Sequence, residues 1–132
     1  MTELAVLTGN NKILINGVEI ETKEYKGQRV ITSYDVAKLH EREPNEITKN
    51  FNRNKKKFVT EKDYFTVKRS EFSERFKIGQ DFIPNNVKEI QLFTERGYLK
   101  LTKTFTDELS WKIQDMLIES YFVVLTGQIQ PK

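Results

Sequence analysis

The sequence contains no cysteine and only one histidine among its 132 residues. Without cysteine the chain forms no disulfide, binds no metal through thiolates and uses no cysteine nucleophile. It also lacks the P-loop, HExxH, GxSxG and dinucleotide-binding patterns. The one histidine, His40, lies near the end of a predicted helix, where the helix dipole favours a cation, so it needs no catalytic explanation. We therefore expect a protein that is not an enzyme and that requires no cofactor or metal.

Long apolar runs are missing as well. The longest uncharged stretch, Ser120 to Pro131, ends in polar residues and falls short of the roughly 18 apolar residues that a membrane span needs. The N-terminal residues include Glu3 and no basic segment, unlike a secretory signal. We expect a soluble cytoplasmic protein with no membrane partner. The length suits a single domain over residues 1–132, with a loosely held arm at 1–12 and a tail at 127–132.

Acidic residues are missing from one stretch that is rich in basic ones. The chain has 22 Lys and Arg against 19 Asp and Glu. Five of the basic residues lie between Lys49 and Lys57, so the rest of the chain holds 17 basic against 19 acidic residues. The same stretch contains three asparagines and no acid. All of the net positive charge is therefore concentrated in this part of the chain.

The segment from Pro44 to Phe58 is predicted to form a helix. Proline suits a first helical position because it has no N–H to leave unpaired there. On a helical wheel Ile47, Phe51 and Phe58 share one narrow arc, which predicts a core-facing side. Asn54 falls in the same arc, so we expect its buried amide to hydrogen-bond a neighbouring backbone; contact with a base is the alternative.

The polar side of this helix is suited to DNA. Lys and Arg can pair with guanine, Asn with adenine, and all of them can reach phosphate. A solvated helix face is the alternative, but such a face usually interleaves glutamate with its lysines. We predict that the DNA-binding residues are Lys49, Asn50, Asn52, Arg53, Lys55, Lys56 and Lys57.

A shorter helix is predicted just before the basic one. Thr32 is suited to its N-cap, and Asp35 stands three residues later as in a capping box. This helix would end near His40, and residues 41–43 would turn the chain into the basic helix. Two helices joined by a turn of about three residues, the second carrying the basic side, have the outline of a helix-turn-helix.

The remaining pattern predicts an α+β fold in which a small antiparallel sheet packs with helices. Asn16-Gly17 favours a hairpin within residues 12–21, although the pair could also begin a longer strand. Lys26-Gly27 marks a second turn. Further strands are predicted at 29–31, 65–67 and 90–93. Thr94 is expected to cap a helix in which Gly97 permits close backbone packing, and Lys62, Lys68 and Arg69 are either phosphate contacts or ordinary surface charge.

A long C-terminal helix is predicted from about 107 to 125. One apolar stripe contains Leu109, Ile113, Met116, Leu117, Tyr121 and Val124. The opposite stripe contains Trp111, Ile118, Phe122 and Leu125. A helix that is apolar on two sides is either central in its own core or shared with another subunit. A homodimer through this helix would suit a protein that reads paired half-sites.

Three sequence blocks occur in the order found in a known family. They are YKGQRVITSYDVAKLHE, FNRNKKKFVTEKDYFTV and LFTERGYLKL, the last followed by a helix ending in ESYF. Over roughly Val18 to Phe122 the chain resembles the phage-encoded open-reading-frame-six N-terminal domain, a relative of the KilA-N and Bro-N domains. The residues that match the family pattern are Asp35, Val36, Ala37, His40, Phe51, Arg53, Asn54, Phe58, Asp63, Tyr64, Phe65, Thr94, Glu95 and Gly97.

The resemblance implies a phage or prophage regulatory protein that binds double-stranded DNA in the bacterial cytoplasm, associated with the nucleoid. Family members often form the N-terminal part of antirepressor-like proteins, and a C-terminal module is common in them. The sequence ends at Lys132 without such a module, so we expect a DNA-binding part. The alternative is a protein-interaction module whose basic face binds a repressor or another acidic partner. RNA is a weaker alternative, since no aromatic residue falls on the outward face to stack on bases.

Overall fold

The fold is α+β, as the sequence predicts. The computed structural model describes residues 5–9, 12–76 and 86–122. The helices of this part are α1 (Ser33–His40), α2 (Pro44–Arg53), α3 (Arg69–Phe76), α4 (Glu95–Leu101) and α5 (Glu108–Met116). The strands are β1 (Ala5–Gly9), β2 (Lys12–Ile15), β3 (Val18–Glu21), β4 (Lys23–Tyr25), β5 (Gln28–Thr32), β6 (Tyr64–Lys68) and β7 (Glu89–Phe93). Residues 78–86, whose glycine, proline and two asparagines are typical of a loop, lie almost wholly outside the described residues.

The first sheet is an antiparallel meander in the order β1-β2-β3. Its β2–β3 turn has positive φ at Asn16 (52°) and Gly17 (81°), which is the geometry of a tight hairpin turn and confirms the predicted hairpin. Residues 5–9 differ from the sequence expectation, because they pair with β2 as a strand rather than forming a loose arm. The apolar side chains of β2 lie on the core side, where Ile13 and Ile15 are buried.

The second sheet has the order β4-β5-β7-β6. The β4–β5 hairpin turns at Lys26 and Gly27, again with positive φ at both residues. Strand β5 then pairs with β7, which comes about 60 residues later, through Ile31 opposite Phe93 and Thr32 opposite Leu92. The single meander expected from the sequence is therefore divided between two sheets, since the chain leaves the first one after β3.

Helices α1 and α2 form the predicted helix-turn-helix-like pair. The capping box of α1 is complete: Thr32 Oγ1 accepts from Asp35 N at 3.0 Å, and Asp35 Oδ2 accepts from Thr32 N at 3.3 Å. Glu41 then takes a left-handed conformation with φ 57° and ends α1. Pro44 begins α2 after a link that contains Arg42, whose guanidinium pairs with Glu46 and with Asp107.

An aromatic cluster holds the back of α2 against the second sheet. The ring of Phe51 lies 5.0 Å from those of Phe58 and Tyr64 and 5.3 Å from that of Phe93, measured between centroids and with edge-to-face geometry. Such pairs contribute roughly 0.5–1.5 kcal/mol each beyond the burial of their area. The predicted core-facing side of the basic helix is confirmed, because Ile47, Phe51 and Phe58 are all buried.

Helix α5 begins at the Asp107 N-cap and continues as a π-helical segment from Leu117 to Phe122. The first predicted stripe belongs to the chain's own core, since Ile113, Met116, Leu117 and Tyr121 are buried and Leu109 is half-buried. In the second stripe Phe122 is buried and Ile118 half-buried, whereas Trp111 is 62% exposed. Val124 and Leu125 lie outside the described residues.

A buried polar network joins the start of the second sheet to α1 and to the C-terminal helix. Lys23 Nζ donates to Asp35 Oδ2 at 2.9 Å, and both side chains are less than 10% exposed. The hydroxyl of Tyr121 accepts from Lys23 N at 3.2 Å and donates to Val30 O at 2.6 Å. Lys23 and Val30 are opposite each other in the β4–β5 ladder, so the tyrosine hydroxyl bridges the two strands.

The environment of His40 differs from the sequence expectation of a cation at a helix end. The side chain is 2% exposed, with Nδ1 2.7 Å from Ser110 Oγ and Nε2 2.7 Å from the Tyr98 hydroxyl. Burial, with a smaller effect of Arg42, lowers the pKa of His40 from 6.5 to about 4, and Asp107 opposes the shift. His40 is therefore a neutral core residue that connects α1 with α4 and α5.

Acidification is expected to weaken the fold through His40. Its folded pKa lies below the unfolded value, so the unfolded chain binds the proton first and stability falls as pH drops from 6.5 to about 4. The full loss is roughly 3 kcal/mol at about 1.4 kcal/mol per pKa unit. Urea unfolding at pH 7 and pH 4 would measure it, with His40→Gln as the control that removes the titration. An equal loss in both proteins would contradict the assignment to His40.

Candidate nucleic-acid interface

The predicted DNA-binding residues lie on two elements rather than on one helix. Helix α2 ends at Arg53, and Lys55–Lys57 form a 3₁₀ turn, so the prediction of a helix through Phe58 was too long. The reason lies at Asn54, whose side-chain Nδ2 donates to Asn50 O at 3.0 Å. Asparagine amides compete with the backbone for such carbonyls and so favour helix ends. This contact also fits the backbone-holding role predicted for Asn54.

Six of the predicted residues share an exposed surface. All six are exposed, although the Lys55 ammonium lies 5.8 Å from the centroid of the buried Phe51 ring, and no acidic residue interrupts them in the chain. We call this set the basic surface: Lys49, Asn52, Arg53, Lys55, Lys56 and Lys57, all of them exposed. Five of the six carry positive charge, so the surface has the positive charge and the exposure to solvent that binding of a polyanion requires.

The seventh predicted residue, Asn50, has a different environment. It is half-buried, and its Nδ2 donates to Leu101 O at the end of α4 at 2.7 Å. Its Oδ1 accepts from Asn54 Nδ2 at 3.1 Å. Both ends of the amide are thus hydrogen-bonded within the protein. The contact ties α2 to α4, whereas the six residues of the basic surface face solvent.

A buried carboxylate lies beside the basic surface, and sequence reasoning did not identify it as part of the site. Asp63 is 0% exposed, and its Oδ2 accepts from Lys100 Nζ at 2.6 Å and from Val59 N at 2.7 Å. The other oxygen, Oδ1, forms an ion pair with Arg96 Nε at 2.9 Å. Asp63 therefore joins the loop that follows the 3₁₀ turn to two cations of α4.

Two opposing effects determine the protonation of Asp63. Burial alone would raise the pKa of the carboxyl group. The hydrogen bonds from Lys100 and Val59, with the attraction of the Lys100 and Arg96 charges, outweigh burial and hold the pKa below its ordinary value. The carboxyl group of Asp63 is therefore ionised at neutral pH, and its negative charge balances the positive charge of Lys100.

Gly97 allows α4 to approach Asp63. A Cβ at this glycine would lie 1.8 Å from Asp63 O, far inside any normal contact. Thr94 caps α4 and also contacts this carbonyl, through its N at 3.0 Å. The predicted close backbone packing of Gly97 is confirmed, and the partner is now known to be the Asp63 backbone.

Lys100 also contacts the basic surface directly. Its Nζ donates to Lys57 O at 2.6 Å while it pairs with Asp63. Lys100 lies about 40 residues from both partners, so no local pattern connects them. Lys62 and Lys68, considered as phosphate contacts from the sequence, are exposed at the turn before β6 and at its end.

The part of the chain that the structure describes contains neither a candidate metal site nor a candidate membrane-spanning helix. Within 5–9, 12–76 and 86–122, no three His, Cys, Asp or Glu residues are grouped so that they could hold a metal ion. Over the same ranges, none of the helices has both the length and the apolar character to cross a membrane.

A family model matches most of the chain. It is described as the ORF6N domain and matches residues 20–104, which include α1, α2, the 3₁₀ turn, Asp63 and α4. No curated protein and no solved structure matches the chain. The matched range covers more than half of the 132 residues.

Proposed function

The chain belongs to the ORF6N domain family, and from that premise we propose that this phage-type protein is a regulator that binds duplex DNA through its basic surface. The observation that carries the proposal is the segregation of charge. Five exposed cations lie between Lys49 and Lys57 with no acid between them in the chain, while the remainder of the chain has a small excess of acid. A surface that only kept the protein soluble would gain by mixing both signs.

The two elements of the basic surface are suited to different tasks. Lys49, Asn52 and Arg53 project from α2, a helix of ten residues whose back is fixed in the core. A helix of this kind fits the major groove, where Asn and Arg read adenine and guanine edges. The Lys55–Lys57 turn follows at the helix end and supplies three adjacent ammonium groups, which suit phosphates rather than base edges.

The salt dependence of binding tests the proposal on the unmodified protein. Release of condensed counterions makes log K fall with log salt by about 0.9 for each phosphate neutralised. The five cations of the basic surface therefore predict a slope of about −4 to −5. Fluorescence anisotropy of a labelled mixed-sequence duplex at several salt concentrations would measure it. Undetectable binding at low salt would reject DNA as the partner.

A protein partner is a second proposal, favoured by Trp111. Trp111 is 62% exposed on a helix whose other apolar residues are buried or half-buried, and an exposed tryptophan is the kind of residue that anchors protein interfaces. The partner would be a second copy of this chain, joined through α5, or a repressor. For the homodimer, analytical ultracentrifugation is expected to show a dimer that Trp111→Ala dissociates. A monomer at all concentrations would exclude the homodimer and leave the repressor to be tested.

A further inference from the structure

The Lys55–Lys57 turn has little backbone support of its own. Its 3₁₀ conformation spans three residues, and the hydrogen bonds that close it are Lys57 N to Asn54 O at 2.8 Å and Phe58 N to Lys55 O at 3.1 Å. All three lysines are exposed, and their like charges repel one another. Short 3₁₀ pieces are weakly stable by themselves. The position of the turn therefore depends on contacts from outside it.

Besides the burial of Phe58 directly after the turn and the Lys55 ammonium over the Phe51 ring, these contacts come from α4 and from Asp63. Lys100 Nζ binds Lys57 O, the carbonyl at the end of the turn, at 2.6 Å. The same Nζ is held by the Asp63 carboxylate at 2.6 Å, and that carboxylate accepts from Val59 N, two residues beyond the turn. A carboxylate that is 0% exposed thus fixes a lysine that in turn fixes the 3₁₀ turn.

We propose that Asp63 and Lys100 are positioning residues of the DNA-binding surface: their ion pair clamps the Lys55–Lys57 turn against α4, so that its three ammonium groups meet phosphates in one arrangement. The inference rests on the proposed function. Holding the turn in place before binding removes an entropy loss that binding would otherwise incur, and so raises affinity.

The environment of Lys100 favours positioning over direct contact with DNA. Its side chain is 30% exposed, and its charge is matched by a buried carboxylate. A phosphate would have to compete with Asp63 for the ammonium group, at the expense of leaving that carboxylate without its closest partner. The exposed lysines of the turn have no such competitor among the ion pairs of the described residues.

Two substitutions with the same change of charge separate positioning from simple electrostatics. Asp63→Asn and Glu61→Gln each remove one negative charge from the same turn, but only the first breaks the clamp, since Glu61 is exposed. Electrostatics alone predicts that both tighten binding to a labelled mixed-sequence duplex. Positioning predicts that Asp63→Asn weakens binding on the order of tenfold at 0.15 M salt and lowers the salt slope by roughly 1 to 2. Glu61→Gln is expected to bind as well as the wild type or better.

Lys100→Met supplies a second test that does not depend on Asp63→Asn folding. Loss of one direct phosphate contact would lower the salt slope by about 0.9, whereas release of the turn is expected to lower it further. Lys100→Arg keeps the charge beside Asp63 and is expected to restore most of the affinity. Trypsin cleavage after Lys55–Lys57, mapped by mass spectrometry on folded protein, is expected to be several-fold faster in Lys100→Met than in the wild type.

The outcomes distinguish the two proposals. Folding of each variant is checked by circular dichroism. Folded Asp63→Asn and Lys100→Met that bind as tightly as the wild type would overturn the positioning role, and so would equal trypsin rates. A wild-type protein that binds no DNA overturns the proposed function, and the trypsin comparison then still decides whether Asp63 and Lys100 hold the turn.

Discussion

Replacing Lys49 and Arg53 together by glutamate is expected to weaken binding to duplex DNA by at least about 100-fold at low salt, because two phosphate contacts become repulsions. Both residues are exposed on α2, and their side chains do not enter the core formed by Ile47 and Phe51. The variant should therefore fold normally. Fluorescence anisotropy with the mixed-sequence duplex measures the loss, and circular dichroism confirms the fold.

The matched control places the same change of charge elsewhere. Lys26 lies at the β4–β5 turn and Lys112 on α5, and both are exposed. Lys26→Glu/Lys112→Glu changes the net charge by as much as the first variant. If binding depended only on the overall charge of the protein, the two double variants would lose affinity equally. We expect the control to retain most of its binding, and an equal loss would contradict the assignment to α2.

Asp35→Ala is expected to lower the free energy of unfolding by roughly 4 kcal/mol, mainly because it leaves Lys23 charged and buried without its partner. The substitution also removes one half of the α1 capping box, a contribution of about 1 kcal/mol. A domain of this size has about 5–15 kcal/mol in total, so the variant would be close to its unfolding threshold. Urea unfolding followed by circular dichroism measures the difference.

The double variant Lys23→Met/Asp35→Ala tests the mechanism. It removes both charges, so no buried ion is left unpaired, and we expect it to be more stable than Asp35→Ala alone. Lys23 Nζ also donates to Glu21 O, a bond that the double variant gives up without leaving a charge behind. A double variant less stable than the single one would show that the ion pair is not the main source of the loss. A loss of only about 1 kcal/mol in Asp35→Ala would point to the cap instead.

The parts of the fold that the sequence predicts are those determined by local chemistry. Asn16-Gly17 specifies its turn by tolerating positive φ, and Thr32 with Asp35 specifies the start of α1. Pairing between distant segments has no such signature. Nothing near Ile31 indicates that its partner is Phe93. The division of the strands into two sheets was therefore visible only in the structure.

The candidate site follows the same rule. The helical wheel predicts which side of α2 faces solvent, because the opposite side is apolar. The burial of Ile47 and Phe51 confirms that apolar side. The hydrogen bond that occupies Asn50 could not be predicted from the helical wheel, because its partner is the distant carbonyl of Leu101. Nor did the sequence place Lys100 beside Asp63, although Gly97 indicated that some backbone approached α4 closely.

The Tyr121 hydroxyl bridge has a consequence for the order in which the protein is made. Lys23 and Val30 leave the ribosome well before the group that joins them, because Tyr121 lies 98 and 91 residues further along the chain. Until Tyr121 has been synthesised, the β4–β5 hairpin lacks this bridge. A two-stranded hairpin alone is marginally stable in water. The β4–β5 hairpin therefore gains this bridge only after the C-terminal helix has been synthesised as far as Tyr121.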